Sequence, residues 1–90
     1  MRLSITFRGR VQGVGFRFTA QGAVQRQASP ITGWVRNEPD GSVLMELQGE
    51  PAAIEAALAD LRSAMGTKIR SEERSTLPDS RGEQGFVIAR

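Results

Sequence analysis

The chain has 90 residues, 39% of them hydrophobic and 24% charged, which fits a single globular domain over residues 1–90 and leaves no room for a second. It contains no Cys, His or Tyr, and this excludes disulfides, thiol nucleophiles, imidazole acid–base catalysis and zinc sites built from the usual nitrogen and sulfur ligands. The formal net charge is only +2.

The first third of the chain predicts a strand, a glycine-rich loop and a helix. Residues 3–7 alternate apolar and polar side chains, the period-two pattern of a strand with one buried face. Residues 9–15 include three glycines. Apolar residues then recur at helical spacing from Phe16 to about Ala28, and Pro30 ends the predicted helix.

The middle of the chain predicts a β-hairpin followed by a second helix. Segments 31–38 and 42–48 flank a Pro-Asp-Gly turn, in which Pro presets the first turn dihedral and Gly accepts the last position. The second helix begins at Pro51, carries an apolar stripe to Met65 and ends at Gly66.

The C-terminal third predicts two strands joined by a polar loop. Residues 68–76 are almost all polar, as in an exposed edge strand that charge protects from pairing with another chain. Residues 86–90 predict the last strand. The element order, βαββαβ with one extra edge strand, is typical of an α+β, ferredoxin-like split βαβ sandwich: an antiparallel sheet with both helices on one face. That fold alone does not decide function.

Charge is unevenly distributed along the chain. Residues 1–37 contain six arginines and no Asp or Glu, whereas residues 38–90 hold the other six basic residues and all ten acids. The six are Arg2, Arg8, Arg10, Arg17, Arg26 and Arg36. This distribution predicts an anionic partner for the N-terminal part, although a chance run of solvated arginines explains it equally well.

The glycine-rich loop and the start of the first helix favour an anion site. Consecutive backbone N–H groups and the helix dipole attract phosphate, and no Ser, Thr, Asp or Asn precedes Phe16 to cap those N–H groups. Arg17 lies in the first turn, where a cation opposes the dipole. A bound phosphate would resolve both features, while a tight strand-to-helix turn with a solvated Arg17 remains the alternative.

Asn37 closes the predicted second strand just before the turn. Asn commonly ends strands and begins turns, so its position has an ordinary structural explanation. Its neutral amide could also hold a water molecule without bringing negative charge toward a phosphate.

Two motifs in this chain resemble the signatures of the acylphosphatase family. The first is Gly9-Arg10-Val11-Gln12-Gly13-Val14-Gly15-Phe16-Arg17. The second is Gly33-Trp34-Val35-Arg36-Asn37, with Gly41, Val43 and Gly49 following at the expected intervals. The two motifs stand in the expected order, and the resemblance covers essentially the whole chain.

The resemblance implies a small, metal-independent hydrolase without a cofactor, which splits the carboxyl-phosphate bond of acyl phosphates into carboxylate and inorganic phosphate. Arg17 matches the phosphate-binding arginine of the family, and Asn37 matches the asparagine that positions the attacking water. The residues that match the loop whose backbone amides surround the phosphate are Gln12, Gly13, Val14, Gly15 and Phe16.

Two rival functions come from another class: a non-catalytic module that binds acyl phosphate, and an RNA-binding module of the same fold. RNA binding would favour a pair of stacking aromatics on the central strands, which the five aromatic residues do not clearly supply. We expect a monomer that binds a small acyl phosphate and has neither nucleic acid nor a membrane as a partner. The chain begins without an apolar leader or spanning segment, which predicts a cytoplasmic location.

Overall fold

Two helices and five strands make up the fold, and the computed structural model describes all of residues 1–90. In chain order the elements are β1 (Arg2–Gly9), α1 (Phe16–Gln25), β2 (Thr32–Asn37), β3 (Val43–Gln48), α2 (Pro51–Met65), a short 3-10 turn (Gly66–Lys68), β4 (Ile69–Leu77) and β5 (Phe86–Ile88). No helix combines the length and the apolar character that crossing a bilayer requires.

The strands form one mixed sheet in the order β4-β1-β3-β2-β5. The pairs β1–β3, β1–β4 and β2–β3 are antiparallel, but β5 runs parallel to β2. The prediction of an antiparallel sheet is therefore wrong for the last strand, β5. The first six elements follow the predicted βαββαβ order, and β5 comes after them as the additional strand.

The parallel pairing follows from where β4 ends. Leu77 pairs with Arg2 at the end of the sheet where both β1 and β2 begin. The following segment, 78–85, crosses that same end to the opposite edge of the sheet. Because β5 starts at the end where β2 also starts, the two strands run in the same direction.

Arg2 fastens this crossing segment to the sheet. Its side chain, only 5% exposed, donates to Glu46 at 2.9 Å, to Gln48 at 3.0 Å and through two nitrogens to Glu83 at 2.8 and 3.1 Å. The hydrogen bonds from Arg2 lower the pKa of Glu83 below its ordinary value. Two carboxylates thus compensate a buried guanidinium that would otherwise be costly to desolvate.

One hydrophobic core lies between the sheet and the helices, and it contains buried side chains from α1, from α2 and from the strands. Within it the rings of Phe7 and Phe16 lie 5.0 Å apart, centre to centre. Leu3, Ile5 and Phe7 alternate toward this core, as the period-two pattern predicted. Both helices therefore cover the same face of the sheet.

The two helices differ in how well the sequence predicted their ends. α2 begins at Pro51 and ends before Gly66, as predicted. α1 stops at Gln25, three residues before Ala28, because the Gln27 backbone N–H bonds to the Val24 carbonyl in a tighter turn. The Gln27 side chain also donates to the Ala23 carbonyl, which satisfies one of the free acceptors at the helix end.

Candidate active site

A cavity of about 120 Å³ lies beyond the end of the sheet where β1 and β2 finish, opposite the end that Arg2 fastens. The loop after β1 and the first turn of α1 form most of its wall, and the end of β2 closes it. Its lining residues are Val11, Gly13, Gly15, Phe16, Arg17, Phe18 and Asn37. None of them carries a negative charge.

The loop wall presents backbone N–H groups that have no acceptor within the chain. Gly13 and Gly15 adopt φ of 73° and 79°, a left-handed conformation that side chains other than glycine rarely take. Gly15 caps α1 without any side-chain hydrogen bond. None of the backbone N–H groups of residues 12–18 forms a hydrogen bond, so the whole entry to the helix can receive an anion.

Arg17 carries the free positive charge of the cavity. The side chain is half-buried, yet it makes no hydrogen bond and no ion pair with any residue of the chain. It also stands at the N-terminal end of α1, where the helix dipole disfavours a cation. A guanidinium in this setting is suited to bind an anion that enters from solvent.

Asn37 supplies the unsatisfied polar group. It is the last residue of β2, paired with Val43 across the hairpin, and its side chain lines the same cavity as Arg17. Its Oδ1 atom is buried and has no hydrogen-bond partner. A buried acceptor without a partner costs free energy, which a donor placed in the cavity would recover.

Gln12 and Val14 differ from the other predicted site residues, since neither residue lines the cavity. Val14 packs partly buried against the core. The Gln12 side-chain amide donates at 2.8 Å to the carbonyls of both Glu38 and Ser42. Gln12 thereby ties the loop to the hairpin turn that follows Asn37, which sets the position of one wall of the cavity relative to the other.

Phe18 lines the cavity although the sequence reasoning did not select it. It stands in the first turn of α1 with 74% of its surface exposed, whereas Phe16 is buried. An apolar residue off the apolar stripe of a predicted helix was the signal in the sequence that could have singled it out.

Charges near the cavity are mostly neutralised by one another. Arg8 forms ion pairs with Asp40 and Glu73 at 3.2 and 2.7 Å. Hydrogen bonds from Ser42 lower the pKa of Asp40 to about 2, so this carboxylate stays ionised and paired. Arg36 likewise contacts Glu38 at 3.0 Å. The free charge that faces the cavity is therefore that of Arg17.

Known proteins are similar to this chain in both sequence and fold. The family model for Acylphosphatase matches residues 3–88. An acylphosphatase from Geobacillus thermodenitrificans is 39% identical over 85 residues, covering 89% of this chain and 87% of the relative. One from Oceanobacillus iheyensis is 49% identical over 59 residues, a match that spans 66% of this chain and 63% of the relative.

A solved structure agrees over nearly the full length. The crystal structure of acylphosphatase from Bacillus subtilis superposes with a TM-score of 0.86 at 27% identity, covering 99% of this chain and 98% of that one. The fold and the sequence thus define a small α+β hydrolase. The chain belongs to the acylphosphatase family. Its function is acylphosphatase activity, which makes it an enzyme.

Proposed function

We propose that the cavity binds the phosphoryl group of an acyl phosphate and that hydrolysis to carboxylate and inorganic phosphate takes place there without metal ion or cofactor. The observation that carries this proposal is the meeting of three unsatisfied groups in one cavity. They are the free backbone N–H groups of Gly13 and of residues 15–18, the unpaired guanidinium of Arg17 and the buried Oδ1 of Asn37.

In this proposal the loop amides and Arg17 bind the phosphate together. Backbone N–H groups from Gln12 to Phe16 surround its oxygens, and the planar guanidinium donates two parallel hydrogen bonds. Phosphoryl transfer has a loose transition state with charge spread over the equatorial oxygens, so fixed donors lower its energy without any covalent step on the protein. The absence of acidic residues from the lining supports this, because a carboxylate there would repel the dianion.

Asn37 holds the attacking water. Its Oδ1 accepts a hydrogen bond from that water, which places the water oxygen in line with the phosphorus and the leaving oxygen. The unsatisfied state of this buried atom supports such a role, since a bound water gives it the missing donor. Gln12 has an indirect, positioning role, because it fixes the loop against the hairpin turn next to Asn37.

The step needs no acid or base from the side chains. The leaving group is a carboxylate whose conjugate acid has a pKa of about 4 to 5, so it departs without protonation. The water oxygen forms the new P–O bond, the bond to the acyl oxygen breaks with its electron pair on that oxygen, and a phosphate oxygen takes the proton of the water. A chain without histidine can carry out this reaction.

The proposal extends to the setting of the enzyme. We place it in the cytoplasm as a monomeric single domain over residues 1–90 that acts on a small molecule, with neither membrane nor nucleic acid as partner. Among the aromatic residues, Phe7 and Phe16 lie in the core, and the Trp34 ring is covered by Arg36, whose guanidinium carbon lies 4.8 Å from the ring centre. This arrangement lends no support to a base-stacking surface for RNA.

Hydrolysis of benzoyl phosphate in the presence of EDTA tests the proposal. We expect steady turnover that added Mg²⁺ does not raise, together with competitive inhibition by inorganic phosphate. Turnover that appears only with a divalent ion would contradict the metal-independent mechanism. Turnover that phosphate does not inhibit competitively would contradict the anion site.

A further inference from the structure

Phe18 is the most exposed large hydrophobic residue of the chain. Three such residues stand out: Met1 at the terminus with 38% of its surface exposed, Val87 on β5 with 51%, and Phe18 with 74%. Single exposed apolar residues are common on protein surfaces. Among these three, however, only Phe18 lines the cavity.

The other lining residues offer little apolar surface to a ligand. Val11 and Phe16 are 1% and 2% exposed because they belong to the core. Gly13 and Gly15 contribute backbone without side chains, while Arg17 and Asn37 contribute polar groups. The apolar surface that a ligand in the cavity can cover is therefore largely the Phe18 ring.

We infer that Phe18 forms the acyl-binding subsite and gives the enzyme a preference for acyl phosphates with an aromatic or bulky apolar acyl group. This inference rests on the proposed function and adds the substrate class. The acyl group is joined to the phosphate through one oxygen, so a phosphate held beside Arg17 keeps the acyl carbon within a few ångströms of the cavity mouth. Arg17 and Phe18 are consecutive residues of α1 and line the same cavity.

Burial of an exposed ring against a ligand ring is favourable for two reasons. It removes apolar surface of both from water, and it allows an offset or edge-to-face contact between the rings. A methyl group covers much less of the ring. The contribution of Phe18 therefore grows with the size of the acyl group, while binding of the phosphate is common to all substrates.

The test compares benzoyl phosphate with acetyl phosphate in Phe18→Ala, Phe18→Trp and a control, Val87→Ala, which removes another exposed apolar side chain away from the cavity. We expect Phe18→Ala to lower the ratio of kcat/KM for benzoyl over acetyl phosphate by about threefold to tenfold. Phe18→Trp and Val87→Ala should keep the ratio within about twofold of the wild-type value, because the first retains an aromatic ring and the second does not touch the cavity.

Inhibition by inorganic phosphate serves as the readout of the anion site and should stay within about twofold in all three variants. An unchanged ratio in Phe18→Ala, or an equal fall of the ratio in Val87→Ala, overturns the acyl subsite. Wild-type protein that hydrolyses neither substrate would instead overturn the proposed function itself, so the two failures are distinguishable.

Discussion

Arg2 and Arg17 stand at opposite ends of the same sheet and have opposite environments. Arg2 is almost fully buried and its guanidinium is neutralised by Glu46 and Glu83. Arg17 is half-buried, pairs with no carboxylate and faces a cavity that also holds the unpartnered Asn37 oxygen. One arginine is satisfied by the fold, and the other is left for a ligand. The comparison separates a structural role from a functional one for two residues of identical chemistry.

The same comparison corrects the interpretation of charge along the sequence. The acid-free segment 1–37 predicted an anionic partner or, as the alternative, a run of solvated arginines, but four of its six arginines form ion pairs with acids that come later in the chain. Strand pairing and packing bring those acids close, which the linear order cannot show. Arg10 and Arg17 have no such partner, and of these two only Arg17 lines the cavity.

Replacement of Arg17, the arginine left free for a ligand, should cause the largest loss of activity. We expect Arg17→Lys to lower kcat/KM for benzoyl phosphate by about 100-fold to 1000-fold and Arg17→Ala by at least as much, because a point charge cannot replace two parallel hydrogen bonds to phosphate. The melting temperature should hardly change, since Arg17 has no partner in the chain. Arg10→Lys, an exposed arginine at the start of the same loop, is the control. Near-normal kcat/KM in Arg17→Lys would remove Arg17 from the site.

Asn37 separates catalysis from binding. We expect Asn37→Ala to lower kcat by about 100-fold while inorganic phosphate still inhibits competitively, because the variant loses the acceptor for the water and keeps the anion donors. Asn37→Asp brings a negative charge to the cavity and should weaken phosphate inhibition as well. If phosphate inhibition also disappears in Asn37→Ala, Asn37 is a structural residue of the hairpin.

Arg2→Met should lower stability and leave activity unchanged, the opposite of what we expect for Arg17→Lys. The variant leaves Glu46 and Glu83 without their common cation, and we expect the free energy of unfolding to fall by about 2 kcal/mol, below the 3–5 kcal/mol of fully buried pairs because both carboxylates are partly exposed. The folded enzyme should keep its kcat. Urea unfolding measures the loss, and Arg70→Met, at an exposed arginine without an ion pair, should change stability by no more than about 0.5 kcal/mol. A loss of kcat with unchanged stability would contradict the structural role.

Low pH should lower the stability of the fold, because protonation of Glu83 removes its ion pair with Arg2. The folded pKa of Glu83 is lowered from the ordinary value of 4.5, so the stability it contributes is present above that pH and is lost as the pH falls through the folded value. We expect a lower urea midpoint at pH 3 than at pH 7. The accompanying fall in the free energy of unfolding should be smaller in Arg2→Met by on the order of 1 kcal/mol, because the pKa of Glu83 then lies closer to its ordinary value. An equal fall in both proteins would show that other carboxylates govern acid sensitivity.

The sequence predicted most elements because their signals are local. Alternation gave β1, the Pro-Asp-Gly turn gave the hairpin, and Pro51 with Gly66 bounded α2. The end of α1 was predicted too late, because a side-chain contact of Gln27 and a tighter turn decide where it stops. The direction of β5 was also missed, since no local pattern records which end of the sheet the preceding segment crosses.

What the sequence by itself determined is the chemistry: a chain without histidine or cysteine, with a glycine-rich loop before a helix that lacks a side-chain cap, and Arg17 in its first turn. Residue types and their spacing along one segment are sufficient for that. The tertiary structure alone decided that Asn37 and Phe18 meet Arg17 in one cavity, that Gln12 fixes the loop to the hairpin, and that Arg8 and Arg36 are paired with carboxylates. Those facts depend on contacts between segments distant in the chain, and such contacts exist only once the sheet has set its register.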